Sequence, residues 1–370
     1  MLRVLLILCC FLANFGSAWS AWAAENRYAS IIVDADTLDV IHNRQIDSPR
    51  YPASLTKVMT LHLVFDALDA GTLTLSEQVQ VSRKASRTPP VKLGLRAGQK
   101  ITVRELIQSV AVRSHNDSAV VLAERLGGTE ARFAEMMTAK ARSLGMRRTT
   151  FKTANGLPHP EQLTTARDMA KLANSILTTH YDRYHYFGQT HFRGVKNTNA
   201  LLHDMPEVDG FKTGYTNASG YNLMVSAVRN NRRQIAVVLG GASGKSRNAH
   251  MRDLVERGFK VMGVVPQSAE PKLILASQAS APTTILRGAS MRKAAKPWTV
   301  KIRNFQSESD ARFAASTFGL ESQTEITSGF LHGRPVFHAR LSGLSASAAK
   351  TICSKIRAAQ TQTKCWLISP

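Results

Sequence analysis

A break in composition constrains this chain before any motif does. Residues 266–296 turn to Ser, Ala, Pro and Thr with scattered Lys and Arg, and Glu270 is their one acidic residue. A stretch like that offers no periodic apolar face to bury, so it reads as a flexible basic linker. The 370 residues are therefore expected to form two folded units, one over 25–265 and a smaller one over 297–370.

The first residues look like an export signal. Arg3 supplies a positive start, residues 4–15 form an apolar run, and Ala21-Trp22-Ala23 offers small residues for cleavage, which together delimit a signal over 1–24. The run is short for a spanning helix, and no later stretch approaches spanning length. The expectation is a periplasmic or secreted protein, with membrane association only if the signal stays uncleaved. Cys9 and Cys10 would leave with it. The chain carries 48 Lys+Arg against 26 Asp+Glu, a net charge of +22, which asks for a polyanionic neighbour. Export, and the spread of basic residues along the chain, argue against nucleic acid and leave acidic lipid or an anionic wall polymer.

Within 25–265, apolar alternation at 29–33 and 38–42 predicts a hairpin around Asp34 to Asp36. A helix is predicted over 52–70, with Gly71 as its stop. Thr102 and Glu105 form a capping box that opens a helix ending near Arg113. Further helices follow at 117–126, at 130–144 between Thr129 and Gly145, and after Thr165. Strands return at 208–212, 221–229 and 233–239, the last two joined at Asn230-Asn231, before a helix over 247–259. Strands, then helices, then strands again imply an α+β fold, one antiparallel sheet with a helical subdomain. Beyond the linker, strands at 298–303, 335–341 and 365–369 alternate with helices at 308–318 and 346–359. That order suggests a small split βαβ domain built from two strand-turn-helix copies.

Three short motifs carry chemistry. In Ser54-Leu55-Thr56-Lys57, three-residue spacing on a helix brings the lysine amine to the serine hydroxyl, which is a poor nucleophile without an adjacent base. Alone, the pattern also fits an amphipathic helix with a solvated lysine. Ser114-His115-Asn116 falls between two helices, where a hydroxyl and an amide can face a cleft or simply cap the next helix. Lys212-Thr213-Gly214 falls at a strand end, where Gly lets a backbone approach closely and Lys and Thr offer a charge and a donor.

Helix, loop and strand in that order form the motif set of penicillin-interacting serine enzymes. With the flanking residues 51–57, 114–117 and 212–217, the chain resembles low-molecular-mass penicillin-binding proteins of the D-alanyl-D-alanine carboxypeptidase family. The resemblance covers about 26–265, and His115 stands where that family often has a smaller residue. It implies that Ser54 attacks the carbonyl between the two terminal D-alanines of a peptidoglycan stem peptide. It implies also that Lys57 is the base, neutral through burial and the nearby Lys212. Ser114 would relay a proton and Asn116 would hold a substrate amide. Backbone N–H groups of Ser54 and Tyr215 would form the oxyanion hole, with Gly214 giving close approach. Lys212 and Thr213 would bind the terminal carboxylate. Arg247 is a further carboxylate candidate by resemblance, or else a solvated residue at a helix start. β-Lactam antibiotics would be covalent inhibitors. They would be hydrolysed slowly, since Glu161-Gln162-Leu163 lacks the asparagine expected of a β-lactamase and 164–170 resembles the carboxypeptidases.

The unit at 297–370 resembles the sporulation-related repeat (SPOR) domain, which implies binding to peptidoglycan glycan strands. Cys353 and Cys365 would meet as a disulfide or stay as buried thiols. No cofactor is expected, and no metal, because His159, Glu161, His180, His185 and His191 lack ligand spacing. A D,D-endopeptidase acting on cross-linked peptides and a non-enzymatic wall-binding protein are the alternatives.

Overall fold

In the computed structural model, residues 27–230, 232–264, 298–305, 312, 324–331, 334–358 and 364–368 are described. The expected signal and basic linker lie outside them. The chain divides into two compact units, with the boundary between Val264 and Val265.

The first unit is built on a five-stranded antiparallel sheet. Its strands are β1 (Ala29–Asp34), β2 (Val40–Arg44), β3 (Val208–Thr216), β4 (Gly220–Arg229) and β5 (Arg232–Gly241), in the order β2-β1-β5-β4-β3. Both faces of the middle strands are apolar, so period two sends alternate residues to two cores. Ile31, Val237 and Leu239 join the core under the helical subdomain, while Ile32, Ala236 and Val238 pack towards the helix Gly244–Val261. The sheet is therefore a middle layer between helices, and the expected α+β arrangement holds.

The helix Thr56–Asp69 runs through the helical subdomain and is buried along nearly its whole length. A helix that is apolar all round is stable only as a core element. Side-chain caps fix where its neighbours start: Thr102 accepts from the Glu105 N–H, Thr129 from Arg132, Thr165 from Asp168 and Ser243 from Ser246. Two details differ from expectation. Residues 53–55 form a single 3-10 turn ahead of the α-helix, and the helix opened by Thr102 ends at Gln108, followed by a π-helical turn over Ser109–Arg113.

The second unit is a four-stranded antiparallel sheet of β6 (Trp298–Phe305), β7 (Thr324–Leu331), β8 (Arg334–Leu344) and β9 (Lys364–Ile368), ordered β7-β8-β6-β9. The helix Ala346–Ala358 joins β8 to β9. Strand β7 is not predicted from sequence: its alternation is interrupted by Gly329, and it is held by pairing with β8 from Thr324↔Leu341 to Leu331↔Arg334. The expected helix at 308–318 falls almost wholly outside the described residues. Cys353 is disulfide-bonded, while the side chain of Cys365 lies outside them.

Candidate active site

Ser54 sits on the 3-10 turn Ala53–Leu55, and Lys57 lies in the first turn of the helix that follows. Residues three apart eclipse in a 3-10 turn, and Lys57 Nζ lies 2.9 Å from Ser54 Oγ. The amine is fully buried. It lies 2.8 Å from Asn116 Oδ1 and also donates to the carbonyl of Asn155. Burial, then the charge of Lys212, pushes the Lys57 amine far below its ordinary value, against an opposing pull from Asp117. Burial and the Lys212 charge both favour the neutral form of an amine that lies against the Ser54 hydroxyl.

The turn is held from two sides. Ala53 has a φ of 47°, a left-handed conformation that costs a non-glycine residue about 1–3 kcal/mol and persists only where its surroundings fix it. Asn222 on β4 supplies one brace, its amide donating to the carbonyls of Tyr51 at 2.9 Å and Pro52 at 3.0 Å. Its oxygen accepts from the Gly240 N–H at 2.9 Å. Gly156 supplies the other, since any Cβ there would collide with the Ala53 carbonyl.

Ser114 ends the π-helical turn in the left-handed region, with φ 65° and ψ 29°. Its Oγ is buried and has no hydrogen-bond partner among the described residues. A buried, unsatisfied hydroxyl on strained backbone is costly unless a ligand or a reaction uses it. Both ends of the Asn116 amide make contacts within the protein. Its Nδ2 donates to Pro89 O at 3.1 Å and Pro90 O at 3.0 Å, while Oδ1 faces Lys57. Asn116 braces Lys57 and pins the 89–91 loop. Asp117 anchors the same loop by accepting from the N–H groups of Leu93, Gly94 and Leu95.

The third motif lies inside β3, not at its end, because the strand continues to Thr216 and pairs there with Gly220. β3 is an edge strand of the sheet. Gly214 backs onto the 3-10 turn, where a Cβ would lie 3.0 Å from the Ser54 nitrogen. Lys212 is buried, and burial, then the charges of Arg113 and Arg247, pulls its amine down to about 7. The Thr213 hydroxyl donates to Thr198 Oγ1 at 2.8 Å. Tyr215 is half exposed, with its ring 4.3 Å from that of Tyr221. Arg247 is 7% exposed and donates to the Asn222 carbonyl at 2.7 Å, so it is a buried cation and not a solvated one.

The structure thus brings Ser54, Lys57, Asn116 and, through backbone packing, Gly214 together. Lys212 and Arg247 are linked to this group by charge and through Asn222. His115 is buried behind the loop against Phe192 and pushed down to about 4, chiefly by burial. Glu161 is exposed and paired outward with Lys152 at 2.5 Å, so it does not supply a base beside Ser54. Sequence reasoning missed Asn155 and Asn222. A polar residue within the apolar β4 run was the available signal for Asn222.

Residues 20–243 match the family model described as D-alanyl-D-alanine carboxypeptidase. The chain is 34% identical over 244 residues to the D-alanyl-D-alanine carboxypeptidase DacF of Bacillus subtilis, covering 64% of this chain and 63% of that one. It therefore spans less than two thirds of the length of such curated relatives. Among solved structures it resembles penicillin-binding protein 5 from Haemophilus influenzae, with TM-score 0.61, 33% identity, and coverage of 63% and 70%. It also resembles the ampicillin-bound form of penicillin-binding protein D2 from Listeria monocytogenes, with TM-score 0.58, 30% identity, and coverage of 62% and 96%.

Proposed function

The chain belongs to the D-alanyl-D-alanine carboxypeptidase family of serine peptidases, and from that premise we propose that it removes the terminal D-alanine from peptidoglycan stem peptides. Ser54 Oγ attacks the carbonyl between the two D-alanines as its proton passes to the neutral Lys57 amine. The C–N bond then breaks, and the leaving amine takes a proton from Lys57 by way of the Ser114 hydroxyl. The acyl-enzyme is released by water, again with Lys57 as base. The Ser54 and Tyr215 N–H groups meet the oxyanion, a role supported by the close approach of Gly214 to the Ser54 nitrogen. Lys212, Thr213 and Arg247 take the terminal carboxylate.

The observation that carries this reading is the buried Lys57 amine 2.9 Å from Ser54 Oγ. Incubation with a fluorescent penicillin should label the wild type covalently and leave Ser54→Ala unlabelled, with D-alanine release lost in parallel. Equal labelling of the two proteins would remove Ser54 as the nucleophile. β-Lactam turnover should be slow, because Glu161 is directed away to Lys152.

The second unit is read as a SPOR-like domain that tethers the enzyme to glycan strands in the cell wall outside the cytoplasm. Its antiparallel sheet with a helix crossing from β8 to β9 supports this, as does the basic character of the chain. Tethering raises local substrate without altering the chemistry.

A further inference from the structure

We propose that His62, Asp66 and His180 form a binding site for a divalent transition-metal ion, zinc by its donor set. His62 and Asp66 are four residues apart on the helix that carries Lys57, so they share a face. His180 ends the helix Ala166–Thr179. Tertiary packing brings the three together, which the spacing of histidines along the chain does not reveal.

The donor atoms lie close together, the two histidines facing different oxygens of the Asp66 carboxylate. His62 Nδ1 lies 3.4 Å from Asp66 Oδ2, and His180 Nε2 lies 3.1 Å from Asp66 Oδ1. One donor from each residue falls within 4.8 Å of the others. Tetrahedral zinc with N and O ligands holds its donors about 3.3 Å apart. Each imidazole is also oriented from behind, as metal-bound histidines are. His180 Nδ1 lies 2.8 Å from Asp69 Oδ2, and His62 Nε2 lies 2.8 Å from Ser175 Oγ.

A second observation points to a ligand. His62 is 1% exposed, and its Nδ1 has no hydrogen-bond partner among the described residues. That nitrogen is left with only a long 3.4 Å approach to Asp66 Oδ2. An ion satisfies it. Within the cluster Lys140 lies 2.8 Å from Asp66 Oδ2, and Arg183 lies 2.8 Å from Asp69 Oδ1. The Lys140 side chain is 26% exposed, so it can turn to solvent as one cation replaces another. Water completes the coordination. The ion would tie the nucleophile helix to Ala166–Thr179 as a structural element, separate from the serine chemistry.

The test uses the untagged full chain, stripped with a chelator and titrated with zinc by calorimetry and with cobalt by absorption. Expected are one zinc per chain, intense visible cobalt bands of a tetrahedral site, and a rise in melting temperature with zinc. His62→Gln and His180→Gln should each lose the cobalt bands. Asp69→Asn, which removes only the support behind His180, should bind zinc about 10–100-fold more weakly. Circular dichroism confirms that the variants fold, and the cobalt spectrum of the wild type is informative without them. The proposal is overturned if the wild type shows no tetrahedral bands. It is equally overturned if a His62→Gln/His180→Gln protein takes up zinc as the wild type does, which would place the ion on surface histidines such as His191 and His203.

Discussion

Two lysine amines, Lys57 and Lys212, are buried around one cleft, and their electrostatics predict how the protein responds to pH. In the proposed reaction Lys57 must be neutral to take a proton, and Lys212 must be charged to hold a carboxylate. The rate of penicillin acylation should climb with pH as Lys57 loses its proton. It should fall as pH rises through about 7, where Lys212 loses its charge in the free enzyme. Lys212→Arg, which keeps the charge, should move the falling limb upward, and a pH profile without a falling limb would remove Lys212 from carboxylate binding. The stability sign follows from the same shifts. Both folded-state values lie below the ordinary 10.5, so the unfolded chain binds more protons and stability rises with pH up to about 10. Lys57→Met should therefore melt no lower than wild type at neutral pH while acylating about 10²–10⁴-fold more slowly. A matching loss of melting temperature would make Lys57 a structural residue instead.

At the scale of elements, the site depends on how closely β3 and the 155–157 loop press on the 3-10 turn. Gly214→Ala places a Cβ 3.0 Å from the Ser54 nitrogen and 3.2 Å from the Leu55 nitrogen, both of them backbone atoms that yield little. Acylation should slow by about tenfold or more, since small misplacements of a nucleophile are expensive, with a modest change in stability. Gly156→Ala meets both a collision with the Ala53 carbonyl and a φ of +85°. Urea unfolding should show it destabilised by about 2 kcal/mol or more; a wild-type midpoint would mean that the loop relaxes freely. Helix starts were legible in the sequence because caps are local: Thr102, Thr129 and Thr165 bond within three residues of themselves. The left-handed Ala53 and Ser114 were not legible. Nothing in their own side chains favours that conformation, and contacts distant in sequence impose it.

At the scale of the whole molecule, every residue assigned to the reaction lies in the first unit, which has its own two apolar cores, while Val300, Ile302, Ala339 and Leu341 form a separate core in the second. A protein ending at Val264 should fold and react with fluorescent penicillin at the wild-type rate, while losing retention on purified glycan strands. A slower reaction in the shortened protein would show that the second unit contributes to the active site. No helix among the described residues is long and apolar enough to cross a membrane.

The sequence by itself determined the α+β order of elements and the reach of Lys57 to Ser54. Each of these rests on local composition, periodicity or a spacing of three residues. Tertiary structure alone decided that β3 is an edge strand against the 3-10 turn, and that Asn116 braces Lys57. It also decided that Asn222 and Gly156 hold the turn, that the Asn155 carbonyl holds Lys57, and that His62, Asp66 and His180 converge. The physical reason is the same in each case. A buried polar atom must find its partner wherever the packed chain brings one, and for Lys57 and Asn155 that partner lies 98 positions away.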